Sequence, residues 1–215
     1  MNNIGLWTII FGLTFWSCNQ SDQKTTAKEN QTESKTTSYS HKDKEEIQNL
    51  IRQVLNWADS KKSIDILVLE TDSNDRIYTN FDLENHKLNL EKLRETNFFA
   101  NEFIENYNQI ILTLDKKLRE KEFEEWLIRD LPPFNFSSDV NAWCLCQDNL
   151  DWNKVEVKVG SLNSEKGELE WYWGNLSADT HSSWKDFGYR FRVVKENNKW
   201  KIAYLTGFDF RESTK

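Results

Sequence analysis

The chain has 215 residues, with 28 Lys and Arg against 35 Asp and Glu, and a net charge of −7 at neutral pH. An acidic chain without a basic cluster is a poor partner for nucleic acid and for direct electrostatic docking on anionic lipid. Its seven glycines leave no room for a phosphate-cradling loop.

Residues 4–16 are almost wholly apolar, from Ile4 and Leu6 through Phe15 and Trp16. Thirteen residues are too few for a helix that crosses the hydrocarbon core, which needs about 20. A signal-peptide core is the better reading. Ser17 and Cys18 follow at once, and then the chain turns polar. This order resembles the lipobox of bacterial lipoproteins, which implies cleavage before Cys18 and acylation, for example with palmitate, of its thiol. A plain signal peptide or a short anchor is the alternative. The expected address is the cell envelope, with the chain lipid-anchored to a bacterial membrane on the periplasmic side or at the cell surface.

Residues 18–42 form the lipidated cysteine and a tether rich in Ser, Thr, Gln, Asn and Lys. Such a segment cannot bury enough surface to offset its chain entropy. As a coil its 24 residues after Cys18 reach roughly 25–30 Å. Residues 43–215 are then one α+β domain, long enough to bury a sizeable core. Eight of the ten tryptophans lie there. Most are expected to fill the core, with an aromatic-lined pocket as the sharper alternative.

The first helix spans 43–59, where Ile47, Leu50, Ile51, Val54, Leu55 and Ala58 make an amphipathic stripe. Residues 64–69 read as a short strand or helix, and 71–75 as a loop. Residues 88–94 look helical. A longer helix covers 97–122, with Phe99, Phe103, Ile104, Tyr107, Ile110, Ile111, Leu114 and Leu118 on its buried side. Pro132 and Pro133 mark the change from helices to strands.

Four runs of period two follow. They centre on Val155/Val157/Val159, Leu169/Trp171/Trp173, Tyr189/Phe191/Val193 and Trp200/Ile202/Tyr204. Each alternates with a mainly charged face, the pattern of an antiparallel sheet packed on one side. Turns are expected at 163–167 and 196–198. The charged face argues against a dimer through the open side of the sheet, and a monomer is expected.

Helices followed by this sheet, with the closing strand Lys199-Trp200-Lys201-Ile202-Ala203-Tyr204, resemble the nuclear-transport-factor-2-like superfamily. The chain is similar, more closely, to a family of bacterial lipoproteins built on that cone. The matching stretch is 98–210, and includes Phe98, Phe99, Tyr107, Asp130-Leu131-Pro132 and Trp143-Cys144 to Asp148. The resemblance implies N-terminal helices packed on a curved antiparallel sheet, with a pocket at the open end of the cone. Its members include isomerases and dehydratases as well as binding proteins, so the fold does not choose between them.

No constellation here amounts to an active site, so no catalytic residue, metal or cofactor is assigned. His86 and His181 both sit in polar stretches and are expected at the surface. The ligand-binding candidates are Asp130, Trp143, Gln147, Asp148, Trp152, Trp171 and Trp173, a set of acids, an amide and rings. The stronger reading is that the tryptophans are core and that Asp130, Asp148 and Asp151 cap turns or helices. Asp148-Asn149-Leu150-Asp151 lacks the Gly and terminal Glu of a calcium loop. Cys144 and Cys146, only one residue apart, are expected as two partly buried free thiols, since an extended i, i+2 pair sits near the limit for bridging.

The reading is therefore a membrane-tethered, non-enzymatic binding domain for a protein or small-molecule ligand. The alternative is an isomerase- or hydratase-like enzyme with an Asp in an aromatic pocket. A protective partner that blocks a toxin is a third idea.

Overall fold

Ser40 starts the first helix. Its Oγ accepts the Asp43 N–H at 3.1 Å, satisfying one of the donors a helix start leaves open. The computed structural model describes residues 40–215. The leader, Cys18 and the tether as far as residue 39 lie outside the described residues. Helix α1 runs His41–Ala58 and buries Ile47, Leu50, Ile51, Val54 and Leu55. Each such side chain contributes roughly 1.5–3 kcal/mol. The helix begins two residues earlier than expected, because Ser40 is the cap.

A short hairpin follows, β1 Leu69–Thr71 with β2 Tyr78–Phe81. Its turn is held by Asp72, whose carboxylate accepts the N–H groups of Arg76 at 2.7 Å and Ile77 at 3.2 Å. The run 64–69, expected as a strand or helix, is irregular except for Leu69, which opens β1, and the strand after the 71–75 loop is too short to alternate visibly. Helix α2, Leu83–Thr96, starts earlier than 88 because the Asp82 carboxylate caps it through Asn85 N–H at 3.0 Å.

The long helix α3 is Asn101–Arg119 rather than 97–122. Asn97 takes a left-handed conformation, φ 58°, and ends α2. Phe98 to Ala100 then pair with the sheet. The Ile202 N–H donates to Phe98 O and the Ala100 N–H to Ile202 O, both at 2.8 Å. At the far end Lys121 is also left-handed, φ 56°.

The main sheet is antiparallel in the order β3 (Val155–Leu162), β4 (Lys166–Trp173), β5 (Tyr189–Glu196) and β6 (Lys199–Leu205). Helices α1 and α3 pack against it. The register sets Glu168 opposite Arg192 and Glu170 opposite Arg190, the cross-strand charge pattern read from the sequence. Asn197 and Asn198, both left-handed, make the β5–β6 turn.

One expectation fails along β6. Tyr204 was expected to point inward with Trp200 and Ile202. The pairing slips between Arg192 and Val193, so that Val193 faces Ile202 and Arg192 faces Tyr204. Ala203 is the extra residue of this bulge. Tyr204 therefore lies on the open face, its ring 5.1 Å from the Arg192 guanidinium, and Leu205 is buried instead.

Both sheet edges are covered in part. Phe98 to Ala100 shield β6, as above. On β3, Arg52 Nε of α1 donates to Val155 O at 2.8 Å, and Gln48 Oε1 accepts the Val157 N–H at 3.1 Å. A helix thus covers the start of an edge that would otherwise invite a further strand. The prolines do not lead directly into the sheet. Between α3 and the short turn Trp152–Lys154 the chain is irregular, tied by isolated bridges such as Ile77–Leu127 and Asn141–Cys146. A loop with the four-residue helix α4, Ser182–Lys185, joins β4 to β5, and α5, Phe210–Ser213, ends the chain. No helix among the described residues is long and apolar enough to cross a membrane.

Candidate functional site

The seven expected ligand-binding residues fall into three places. Trp152, Trp171 and Trp173 form one cluster. Trp152 stacks on Trp173 at 5.1 Å, Trp171 meets Trp173 edge-on at 5.4 Å, and Tyr189 stacks on Trp171 at 5.6 Å. The α4 loop lays Trp184 on Trp173 and Phe187 on Trp171. All three tryptophans are buried. Trp152 Nε1 donates to Asp59 at 3.3 Å, whereas the indole N–H groups of Trp171 and Trp173 have no hydrogen-bond acceptor among the described residues.

Trp143 belongs to a second group. Its ring lies 4.7 Å from Phe208, 5.5 Å from Trp57, 5.7 Å from Phe99 and 6.1 Å from Phe103. Here the space between helices and sheet is filled with rings. The outer side of Trp143 backs a surface groove of about 550 Å³. Gln147 lines it together with Ile64, Asp65, Ile66 and Ser137 to Asn141. The two sequence candidates Trp143 and Gln147 therefore meet at one surface site. Asp130 and Asp148 lie exposed elsewhere in the irregular segment. Asp130 contributes its backbone carbonyl, which accepts the Trp126 indole N–H at 3.1 Å. Asp151 caps the Trp152–Lys154 turn through Asn153 N–H at 3.0 Å.

The segment around the groove is built largely by its own backbone. The Asn141 carbonyl accepts from Cys144 N–H at 3.2 Å and Leu145 N–H at 2.7 Å, and the Asn141 N–H donates to Cys146 O at 3.0 Å. Asn141 Oδ1 accepts the Trp143 N–H at 2.9 Å, and Gln147 Nε2 donates to Asp139 O at 3.3 Å. Tyr189 holds this segment to the sheet. Its hydroxyl donates to Ala142 O and accepts the Gly207 N–H, each at 2.9 Å. Gly207 is required there, because a Cβ would overlap the Ala142 carbonyl.

The expectation of free thiols is wrong. Cys144 and Cys146 are joined by a disulfide. Leu145 between them is left-handed, φ 50°. That folds the chain back until the two Cα atoms are 5.1 Å apart, inside the bridging range that an extended pair only just reaches. A disulfide closing so short a loop restrains the unfolded chain by only about 1.5 kcal/mol on the chain-entropy relation. A leucine in the left-handed region costs about 1–2 kcal/mol. The two nearly cancel.

The histidines separate. His181 is exposed and caps α4, its Nδ1 accepting the Ser183 N–H at 3.2 Å. His86, expected at the surface, is 2% exposed. It packs edge-on against Tyr107 at 5.0 Å, and its Nε2 lies 2.9 Å from Asn108 Oδ1. Burial holds its pKa below the ordinary value, so the ring is neutral at pH 7. Its position on α2 faces α3, which a local reading of Glu84-Asn85-His86-Lys87 has no means of showing. Burial likewise pushes the Tyr107 and Tyr189 hydroxyls far up.

Two further depressions lie on the surface. One, about 470 Å³, is on the open face of the sheet, among Lys158, Glu168, Glu170, Arg190, Arg192 and Tyr204. The Tyr204 hydroxyl there, partly buried and bonded to Asp209, is pushed up to about 12. The other, about 440 Å³, lies between α1 and the β5–β6 turn, beside Glu46, Asn97 and Trp200. Among the described residues no group of three His, Cys, Asp or Glu side chains is placed to hold a metal. No family model, curated protein or solved structure matches the chain.

Proposed function

We propose that this chain is a membrane-tethered lipoprotein, anchored through Cys18, whose domain binds a protein or small-molecule ligand at its surface through the groove between Ile64 to Ile66 and Trp143 to Gln147. The supporting observation is the packing of the interior. Trp143 is wedged among Phe99, Phe103 and Phe208, and Trp152, Trp171 and Trp173 pack on one another, so the rings that would line an internal pocket occupy it themselves. The groove combines an aromatic backing with polar backbone and side chains, the mixture typical of ligand sites. The cone of the nuclear-transport-factor-2-like superfamily is the proposed fold family, supported by the α+β order and the closing strand β6.

The isomerase- or hydratase-like reading asks for a carboxylate among the rings. Asp130 and Asp148 both lie exposed, and no observation favours it. Three experiments test the proposal. Cys18→Ser should move the full chain from the membrane to the soluble fraction; equal membrane retention would remove the anchor. A ligand found by screening should lose affinity at least about tenfold in Gln147→Ala, a loss of about 1.4 kcal/mol. Turnover abolished by Asp130→Asn or Asp148→Asn would overturn the non-enzymatic reading.

A further inference from the structure

The geometry points to an activity beyond ligand binding: the Cys144–Cys146 disulfide is a thiol–disulfide exchange site that takes electrons from a dithiol at the groove. It stands on three observations and does not depend on the binding reading.

The bridge spans a single residue and holds Leu145 left-handed, so it adds little to stability, unlike bridges that close long loops. The surrounding frame does not need it. The hydrogen bonds of Asn141 with Cys144, Leu145 and Cys146 run through the backbone, so the sulfurs separate and rejoin without unfolding the segment. The two cysteines also differ in access. Cys144 is 1% exposed, while Cys146 is half-buried and borders the groove.

That asymmetry sets the direction of attack. A substrate thiolate attacks Cys146 Sγ. The Sγ–Sγ bond breaks, its electron pair leaves on Cys144 Sγ, and that sulfur takes up a proton. The second substrate thiol, deprotonated, attacks the substrate sulfur of the mixed disulfide. The bond to Cys146 breaks, and Cys146 leaves with the electron pair and takes a proton. The substrate loses two electrons and two protons and becomes a disulfide; the cysteine pair becomes two thiols.

The test uses the full chain in detergent and a reduced synthetic peptide with two cysteines separated by two residues. Oxidised peptide is followed by mass, and newly exposed thiols by alkylation. The expected result is one peptide disulfide per chain, formed roughly tenfold faster than by an equal concentration of oxidised glutathione. Cys144→Ser and Cys146→Ser should abolish it. With oxidised glutathione, the Cys144→Ser variant should become glutathionylated at Cys146, while Cys144 in the Cys146→Ser variant stays unmodified. The near-ultraviolet spectrum should persist when the bridge opens. A bridge that opens only in denaturant, exchange no faster than with glutathione, or loss of the fold on opening would each overturn the proposal and leave a structural bridge.

Discussion

Replacing Tyr189 with phenylalanine removes one oxygen from the point where the groove segment is fastened to the sheet. The ring stays, stacked on Trp171, so packing is nearly unchanged. Two backbone groups lose their partner: the Ala142 carbonyl and the Gly207 N–H. A buried group left unsatisfied costs about 1–3 kcal/mol. Ala142 is 1% exposed, whereas Gly207 is half-buried and lies at the lower end of that range. The sum is about 2–4 kcal/mol. For a domain of this size that lowers the melting midpoint by roughly 5–15 °C, read by circular dichroism at pH 7. A midpoint within about 2 °C of the parent would refute the idea that this hydroxyl carries both bonds.

Asp43 ties the start of α1 to the last hairpin, accepting from Lys195 Nζ at 2.9 Å and Trp200 Nε1 at 2.8 Å. These bonds, with Lys195 first, hold its pKa below the ordinary value, so its contribution is complete above the unfolded value of about 3.9 and is lost as pH falls through the folded value. Asp43→Asn should cost about 1–2 kcal/mol at pH 7, and urea melts should show that deficit shrinking below about pH 4; a deficit independent of pH would contradict the assignment. Asp115→Ala frees the buried Phe81 N–H, bonded to it at 2.9 Å, and should cost about 2–3 kcal/mol, read as a lower urea midpoint with an unchanged slope. An unshifted midpoint would show that β2 is held otherwise. Gly207→Ala forces a Cβ against the Ala142 carbonyl and should cost about 1–3 kcal/mol, with a changed near-ultraviolet signal from Trp143; a variant as stable as the parent would mean the segment moves freely.

Periodic elements were legible because they are read from residues close in sequence. The α1 stripe, the four alternating strands and the inward Trp171 and Trp173 all follow from periods of 3.6 and 2. What escaped depends on tertiary contacts or on backbone choices that a pattern does not encode. Phe98 to Ala100 look helical but pair with Ile202. Ala203 slips the register and turns Tyr204 outward. His86 looks solvated in its own tetrapeptide and is buried by α3. The bridge between Cys144 and Cys146 depends on the left-handed turn at Leu145, for which leucine gives no cue. Of the candidate site, Trp143 and Gln147 were visible as a ring and an amide near one another in sequence. The other lining residues Ile64 to Ile66 come from a segment more than seventy residues earlier.

The central claim is a packed interior with recognition at the surface groove. A fragment screen against 15N-labelled protein, read at the tryptophan indole resonances, tests it directly. The expected result is that binding fragments shift the Trp143 indole and the amides of Ile64 to Ile66, while the Trp171 and Trp173 indoles stay unmoved and exchange slowly with solvent. Fragments that shift Trp171 and Trp173 instead would reveal an interior that opens to ligand, and would contradict the account.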